Sequence, residues 1–442
     1  MSSRTVYAPL SKLDKCSRCK ATARLSLCSS CREVIYCSKE CQREDWADHK
    51  HFCKQTEPVD LNQLWPFFAH LSEVSRVDPA RPTHPALCHK ILNKPIPNTT
   101  YEDINGIGCN PVLLGDALPK GQQGPKSSAW WSGAMSSHYR GKLFSRISRE
   151  GNCLPVLISI LVALMAEMYT TIYDPEKDGA SSSTGDQFGH NKRFRLRCEG
   201  HSIVDFGICK GAVEVKEMDT FGYWKDFPSD PDMNFFRGQD PKDHYWIYFK
   251  TLREEFLLDL CMWTFNFGFY IDTTPYQPRN YPSLPRMNRD VGAFFLTREY
   301  RQMCPKLHWE KTRFSVLQNK ELQAAVTTPE LGAEAKNTLW TFMDQVAGKQ
   351  QSQVDRDLLV SWTKNHRKML ASNLYRKGFL QYPASPSVQI DYNPGLGEGV
   401  RPSPEKEDAI IKQIKKLTRD ARKGKISSEE LVEGLRALKK KY

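Results

Sequence analysis

The chain has 442 residues, 40% of them hydrophobic and 11% aromatic, and a formal net charge of +12. This composition is typical of a folded protein with a sizeable core and excludes an intrinsically disordered chain. The positive charge favours acidic partners, among them nucleic acid, but no nucleic-acid recognition motif accompanies it.

The N-terminal tail and the longest apolar run bear on location. The first thirteen residues contain no apolar run, so we expect no secretory signal and a reducing compartment, either the nucleus or the cytoplasm. Arg4, Lys12 and several hydroxyl residues precede the first acid, Asp14, as in mitochondrial transit peptides, so a mitochondrial location stays open. Residues 151–166 form the longest uncharged run, which is too short for a membrane span, and we expect none.

Half of the cysteines lie close together near the N-terminus. Seven of the fourteen fall within residues 16–53, in the pairs Cys16-x2-Cys19, Cys28-x2-Cys31, Cys37-x3-Cys41 and, with a histidine, His49-x3-Cys53. These eight side chains suffice for two tetrahedral zinc ions, and too few apolar residues separate them to build a core without metal. Spacing alone leaves sequential and interleaved pairing open. His51 is the alternative to His49, but it is off the helical face that His49 shares with Cys53.

The ligand order and the closing segment QREDWADHKHFC resemble the MYND zinc finger, a protein-interaction module. The resemblance implies a cross-brace in which the ligand pairs interleave. The first Zn²⁺ would then take Cys16, Cys19, Cys37 and Cys41, and the second Cys28, Cys31, His49 and Cys53. Both sites would be structural, because four protein ligands leave no position for a catalytic water.

The resemblance also implies a protein partner that docks through a short proline-containing peptide. In MYND fingers such a peptide adds a strand beside a small β-hairpin, and a Gln and a Trp of the last helix anchor it. The matching positions are Gln42 and Trp46 for the anchors and Val34, Ile35, Tyr36 and Ser38 for the edge strand. Aromatic residues in so small a domain also serve in packing, so both roles stay open for Trp46.

The chain after the finger alternates between helical and extended patterns. Residues 61–77 carry an apolar face that predicts a short helix beginning near Pro66, and residues 78–124 predict irregular structure with short strands. Residues 154–173 are apolar on nearly all sides, which predicts a buried central helix. The β-branched runs at 201–209 and 212–218 predict two strands, separated by Lys210 and Gly211.

The second half of the body predicts more helix than strand. Asp240 and Pro241 are a typical helix start, and the apolar and aromatic series at 245–262 predicts a long helix. The alternation at 265–271 predicts a strand, while 328–346 and 355–377 predict two further helices.

These patterns predict a small zinc-bound cross-brace finger, then a mixed α+β, helix-rich body, then a C-terminal helical hairpin. The expected division is an N-terminal tail (1–15), the finger (16–53), a connecting helix and irregular segment (54–124), the body (125–380), a Pro/Gly-rich linker (381–404) and a basic helical hairpin (405–442).

The function that follows is a zinc-binding protein-interaction adaptor, regulatory in a transcriptional or similar role. Lysine methyltransferases of the SET-MYND family share the finger, but only fifteen residues precede Cys16, and the Asn-His-Ser or Asn-His-Cys motif of those enzymes is absent, since Arg367 follows the only Asn-His pair, Asn365-His366. We therefore assign no catalytic residues. The alternative is an enzyme whose uncharacterised body uses the finger only for recruitment, and convergent His, Cys or carboxylate groups in the body would favour it.

Overall fold

The computed structural model describes residues 5–6, 14–31, 33–50, 53, 56–95, 102–104, 107–171, 193–225, 235–278, 281, 283–285, 288–297, 306–328 and 330–391, with short pieces between 412 and 434. Between residues 14 and 391, the α-helices are α1 (Lys39–Glu44), α2 (Trp46–His49), α3 (Leu61–Arg76), α4 (Pro85–Cys88), α5 (Ser137–Ile147), α6 (Cys153–Met168), α7 (Lys320–Ala325), α8 (Ala333–Ala347) and α9 (Gln353–Tyr375).

In chain order, the β-strands are β1 (Thr5–Val6), β2 (Ser26–Leu27), β3 (Ile35–Tyr36), β4 (Thr56–Asp60), β5 (His89–Ile91), β6 (Glu102–Ile104), β7 (Ile107–Ala117), β8 (Thr170–Thr171), β9 (Arg193–Cys198), β10 (His201–Ser202), β11 (Asp205–Val213), β12 (Phe221–Lys225), β13 (Phe235–Arg237), β14 (His244–Lys250), β15 (Glu255–Asp259), β16 (Phe269–Asp272), β17 (Asp290–Gly292), β18 (Phe294–Leu296), β19 (His308–Ser315) and β20 (Val388–Ile390).

Two five-stranded sheets organise the body. One is antiparallel throughout, in the order β18-β15-β14-β11-β19. The other has the order β13-β12-β7-β5, with β6 also paired to β7, and its β12 and β7 run parallel. Smaller sheets join β10, β9 and β4, and β17, β16 and β20, while β2 and β3 form the hairpin of the finger. The finger is thus followed by a mixed α/β body.

Helix α6 lies at the centre of the main core, as the sequence predicts. Each of its residues except Glu167 is buried, and α3, α9, β11 and β14 pack against it. Glu167 forms an ion pair with Arg367 of α9, 2.9 Å from oxygen to nitrogen, in which both side chains are less than a tenth exposed. The helix ends at Met168 rather than near residue 173, because Thr170 and Thr171 pair with β1.

A second core lies under the other large sheet. Trp130 and Trp131 are fully buried there, together with Leu143 of α5 and Tyr223 of β12. The indole nitrogen of Trp130 donates to the carbonyl oxygen of Ala86, 2.8 Å away. Residues 78–124, which were predicted to be irregular with short strands, include the eleven-residue strand β7. Side chains of this strand belong to the second core.

The long helix predicted at 245–262 is wrong. These residues form β14 and β15, joined by a turn in which the Thr251 hydroxyl accepts from the backbone N–H of Glu254 at 2.9 Å. Tyr245, Ile247 and Phe249 face the main core, whereas Trp246 and Tyr248 are buried on the opposite face of the sheet. A central strand that is covered on both faces has a continuous apolar run, which periodicity alone cannot distinguish from a buried helix.

The two strands predicted around Lys210 and Gly211 are a single strand, β11. A register shift between these two residues accommodates β19 without ending the strand. A Cβ atom at position 211 would overlap the backbone carbonyl of Trp309, so glycine is needed for close approach of the two strands and not for a turn.

Other element boundaries also differ from the predictions. Helix α3 begins at Leu61, where the Asp60 side chain caps it, so Pro66 lies inside the helix. Helix α8 begins at Ala333 instead of 328, α9 closely matches 355–377, and the strand predicted at 265–271 is confined to β16.

The described residues leave parts of the C-terminal prediction open. Residues 412–417 are helical, but most of the predicted hairpin lies outside the described residues. The division of the chain into six segments stays a prediction. Within the described part of the chain, no helix has both the length and the hydropathy required to cross a bilayer.

Candidate metal centre

The first group of cysteines is formed by two loops and a helix. Cys16 and Cys19 lie on one turn, in which the backbone N–H of Lys20 donates to the Cys16 carbonyl at 3.0 Å. Cys37 follows β3, and Cys41 lies on α1. The Sγ atoms of Cys19 and Cys37 are 3.4 Å apart and those of Cys37 and Cys41 3.5 Å apart. All four sulfurs lie within 4.8 Å of one another.

The second group is fully buried. Cys28 and Cys31 lie on the turn after β2, His49 ends α2, and Cys53 is one turn further on. Cys31 Sγ is 3.6 Å from His49 Nε2, and Cys28 Sγ is 3.9 Å from Cys53 Sγ. The structure thus brings the sequence-based candidates together in the interleaved order. The first and third ligand pairs along the chain form one group, and the second and fourth pairs form the other. The competing residue, His51, lies outside the described residues.

The distances between donor atoms in each group match those expected for four ligands arranged tetrahedrally around one ion. Sulfur ligands at the usual zinc distance lie about 3.8 Å apart on a tetrahedron, and a sulfur and a nitrogen about 3.5 Å apart. The separations of 3.4 to 3.9 Å between neighbouring donors agree with these edges. Burial lowers the pKa of His49, which favours the neutral imidazole that a metal requires. Burial also raises the pKa of Cys31 to about 12, so a binding cation must displace a proton from this thiol.

The residues predicted to bind a peptide occupy different environments. Trp46 begins α2 with 45% of its surface exposed, and its ring centroid lies 5.9 Å from that of His49. Gln42 Nε2 donates to Cys28 Sγ at 3.5 Å, so this side chain is held against the second group. The Ser38 hydroxyl caps α1 by accepting from the N–H of Cys41 at 3.3 Å.

The predicted edge strand turns its side chains inward. Ile35 and Tyr36 are buried and Val34 is half-buried, which leaves mainly backbone atoms at the edge of β3. The Ile35 carbonyl already accepts from the N–H of Ser17 at 2.9 Å. Tyr36 donates to Asp45 at 2.6 Å, and burial together with this carboxylate raises the pKa of the phenol well above its ordinary range.

The finger is attached to the body by contacts that the sequence did not reveal. Glu33 forms an ion pair with Arg195 of β9, 3.2 Å from oxygen to nitrogen, with side chains 12% and 4% exposed. Arg197 donates to the carbonyl oxygen of Cys31 at 3.0 Å. These partners are more than 160 residues apart in sequence, and no local pattern indicates them.

Comparisons with known proteins concern the finger alone. Residues 15–53 match the family model of the MYND finger. Tudor domain-containing protein 1 of Oryzias latipes is 52% identical over 36 residues, which is 8% of this chain and 3% of that protein. SET domain-containing protein 14 of Caenorhabditis elegans is 52% identical over 40 residues, or 9% of either protein. MYND-type zinc finger protein samB of Aspergillus clavatus is 44% identical over 43 residues, 10% of this chain and 7% of that protein.

The matched segment spans less than a tenth of each of these relatives, and the match to the SET domain protein covers only the finger. No solved structure matches the chain. A MYND finger is a zinc-binding protein-interaction module, and the two Cys/His groups are consistent with that description.

Proposed function

We propose that this chain, whose residues 15–53 are a MYND finger, is a regulatory adaptor that recruits a peptide-bearing partner to its α/β body. The observation that carries the proposal is the exposure of Trp46. This side chain lies beside the buried second ligand group, yet 45% of its surface faces solvent, which is uncommon for so large an aromatic residue. An exposed, rigid aromatic side chain on a stabilised scaffold is a typical anchor for a protein partner.

The finger binds two structural zinc ions in this proposal, one in each group of four donors. Four protein ligands complete a tetrahedral coordination sphere, so neither ion can activate a water molecule. The metal instead fixes the loops and helices that surround Trp46, because too few apolar residues lie in the finger to do so.

A short proline-containing segment is the proposed ligand. The indole face of Trp46 offers a flat apolar surface on which a proline ring can pack. Gln42 already uses its Nε2 to bond Cys28, which leaves its Oε1 to accept a backbone N–H from the peptide. The peptide is held mainly by these two side chains in this proposal, because the carbonyls of Val34 and Ile35 in and beside β3 already accept from the N–H groups of Cys28 and Ser17.

The test uses the zinc-loaded full chain and an array of short proline-containing peptides, with binding measured by fluorescence anisotropy. Trp46→Ala is expected to weaken the best peptide at least about tenfold, or about 1.4 kcal/mol, because the anchor is lost. Trp309→Ala is the matched control, since Trp309 is 49% exposed but lies on β19 of the body. Equal affinity for the Trp46 variant, with its zinc content unchanged, would refute the proposed docking surface. Absence of binding by any peptide of the array would refute the proline ligand.

A further inference from the structure

The two ligand groups of the finger differ in their exposure to solvent. All four donor residues of the second group are buried, and none of them is more than 7% exposed. In the first group Cys16 is fully buried, but Cys37 and Cys41 are half-buried and Cys19 is exposed. A solute in water can therefore approach Cys19 directly, whereas the second group is shielded.

The second group is also held by its surroundings. Gln42 donates from its side-chain amide to Cys28 Sγ at 3.5 Å, and Arg197 of the body donates to the carbonyl oxygen of Cys31 at 3.0 Å. A hydrogen bond to a thiolate withdraws electron density from the sulfur, and outer contacts of this kind fix ligands in place. The second group is thus joined to the body as well as shielded from solvent.

The two donor sets differ in charge when metal is bound. Four thiolates around one Zn²⁺ leave the first group with one more negative charge than three thiolates and a neutral imidazole leave the second. The more negative set has the more electron-rich sulfurs, and the thiolate is the nucleophile in cysteine chemistry. Exposure and charge therefore both direct oxidants to the first group.

A second thiolate lies beside the exposed one. Cys37 Sγ is 3.4 Å from Cys19 Sγ, and Cys41 Sγ is 3.5 Å from Cys37 Sγ. The sulfurs are in van der Waals contact, so a disulfide between Cys19 and Cys37 requires only a small approach of the two atoms. An exposed thiolate next to a cysteine that can resolve its oxidised form is the arrangement found at redox-sensing sites.

We propose that the first ligand group is an oxidation site, at which a hydroperoxide converts Cys19 and Cys37 to a disulfide and thereby releases the metal ion of this group. Cys19 is the attacking thiolate and Cys37 the resolving one. The second group keeps its ion and continues to attach the finger to the body.

The reaction requires only a hydroperoxide and water. The Cys19 thiolate attacks the terminal oxygen, the O–O bond breaks, and the alkoxide that leaves takes a proton from water to form the alcohol. The Cys37 thiolate then attacks the sulfenic sulfur of Cys19, an S–S bond forms, and hydroxide leaves. The two sulfurs together lose two electrons, which reduce the peroxide. With two of its four donors gone, the group no longer completes a tetrahedral site.

Oxidation of the first group should also alter the proposed peptide-binding surface, a consequence that rests on the proposed function. Cys41 and Gln42 are neighbours on α1, so loss of the first ion releases the helix that positions Gln42. Trp46 begins α2, which ends at His49 of the second group and stays fixed. A peptide held by both side chains is therefore expected to bind at least about threefold more weakly after oxidation.

The experiment treats the zinc-loaded full chain with tert-butyl hydroperoxide. Released zinc is followed with a chromogenic chelator, and disulfides are identified by peptide mass spectrometry. We expect two phases of about one ion each, the first at least about tenfold faster and accompanied by a Cys19–Cys37 disulfide. A dithiol reductant with added zinc should restore the first ion. Cys88→Ser is the matched control, because Cys88 is a half-buried thiol of the body and its loss should leave both phases unchanged.

Two variants separate the groups. Cys19→His keeps a donor at this position and gives a set of three thiolates and one imidazole, but it removes the exposed sulfur. Metal analysis should find about two ions in this variant, and the fast phase should slow at least about fivefold. Arg197→Ala should instead accelerate the slow phase at least about threefold, because Cys31 loses its contact with the body.

Equal release rates for the two ions of the intact chain would overturn the proposal, and this result requires no variant to fold. A first disulfide within the second group, where the sulfurs of Cys28 and Cys53 are 3.9 Å apart, would also overturn it. So would a fast phase of the same rate without peroxide, since the ion would then simply dissociate. These measurements use no peptide, so a failure of peptide binding would refute the proposed function and not the oxidation site.

Discussion

Acidification should destabilise the body through His366, a histidine that is buried without a charged partner. Its ring lies 2.9 Å from the Ser75 hydroxyl and 3.1 Å from that of Ser159, between α3, α6 and α9. Burial lowers the pKa of His366 to about 3, whereas an unfolded histidine has a pKa of about 6.5. Because the folded pKa is the lower one, the unfolded chain binds more protons in acid, and stability is lost as the pH falls below 6.5.

The size of this effect follows from the two pKa values. Between pH 7 and pH 5, an unfolded histidine gains about 0.7 of a proton while His366 stays neutral, which lowers the free energy of unfolding by about 2 kcal/mol. His70 has a pKa of about 4 for the same reason and adds a similar amount. His366→Gln should therefore reduce the pH dependence by about 2 kcal/mol and retain the part due to His70.

The assay is urea unfolding of the full chain at pH 7 and pH 5, followed by the fluorescence of buried tryptophans. Protonation of the finger's thiolates contributes in both proteins, so the difference between variant and wild type isolates His366. His138→Gln is the matched control, since His138 is exposed on α5 and its substitution should leave the pH dependence unchanged. If His366→Gln lost as much stability as the wild type between the two pH values, the imidazole would not be the group that titrates.

Two further predictions concern the finger. Metal analysis of the purified chain should find about two zinc ions, and about one in Cys31→Ser, because that substitution removes a donor of the second group alone. A single ion in the wild type would rule out the two-site arrangement. Arg195→Ala should lower the free energy of unfolding by about 3 kcal/mol in urea titrations, since it leaves the Glu33 carboxylate, 12% exposed, without its cation. A loss below about 0.5 kcal/mol would show that the ion pair does not join the finger to the body.

The chemistry of the finger was readable from the sequence because its constraints are local. Four ligand pairs at two- and three-residue spacings identify donors that a single turn of backbone brings together, whatever the rest of the chain does. The same holds for α6, whose apolar residues on every side require a central position. Interleaving of the pairs was implied by resemblance, and the structure brings the donors together in that order.

The remainder depended on contacts between distant parts of the chain. The run of Tyr245 to Phe249 reads equally well as a buried helix or a central strand, and only the packing of β11 and β15 on either side decided between them. Likewise, nothing in the sequence connects Glu33 of the finger with Arg195 of the body, which form an ion pair. They meet because β9 lies beside the finger, where Arg197 also donates to the carbonyl oxygen of Cys31. Local patterns determine which residues can bind metal, whereas tertiary packing alone determines which side chains share a site.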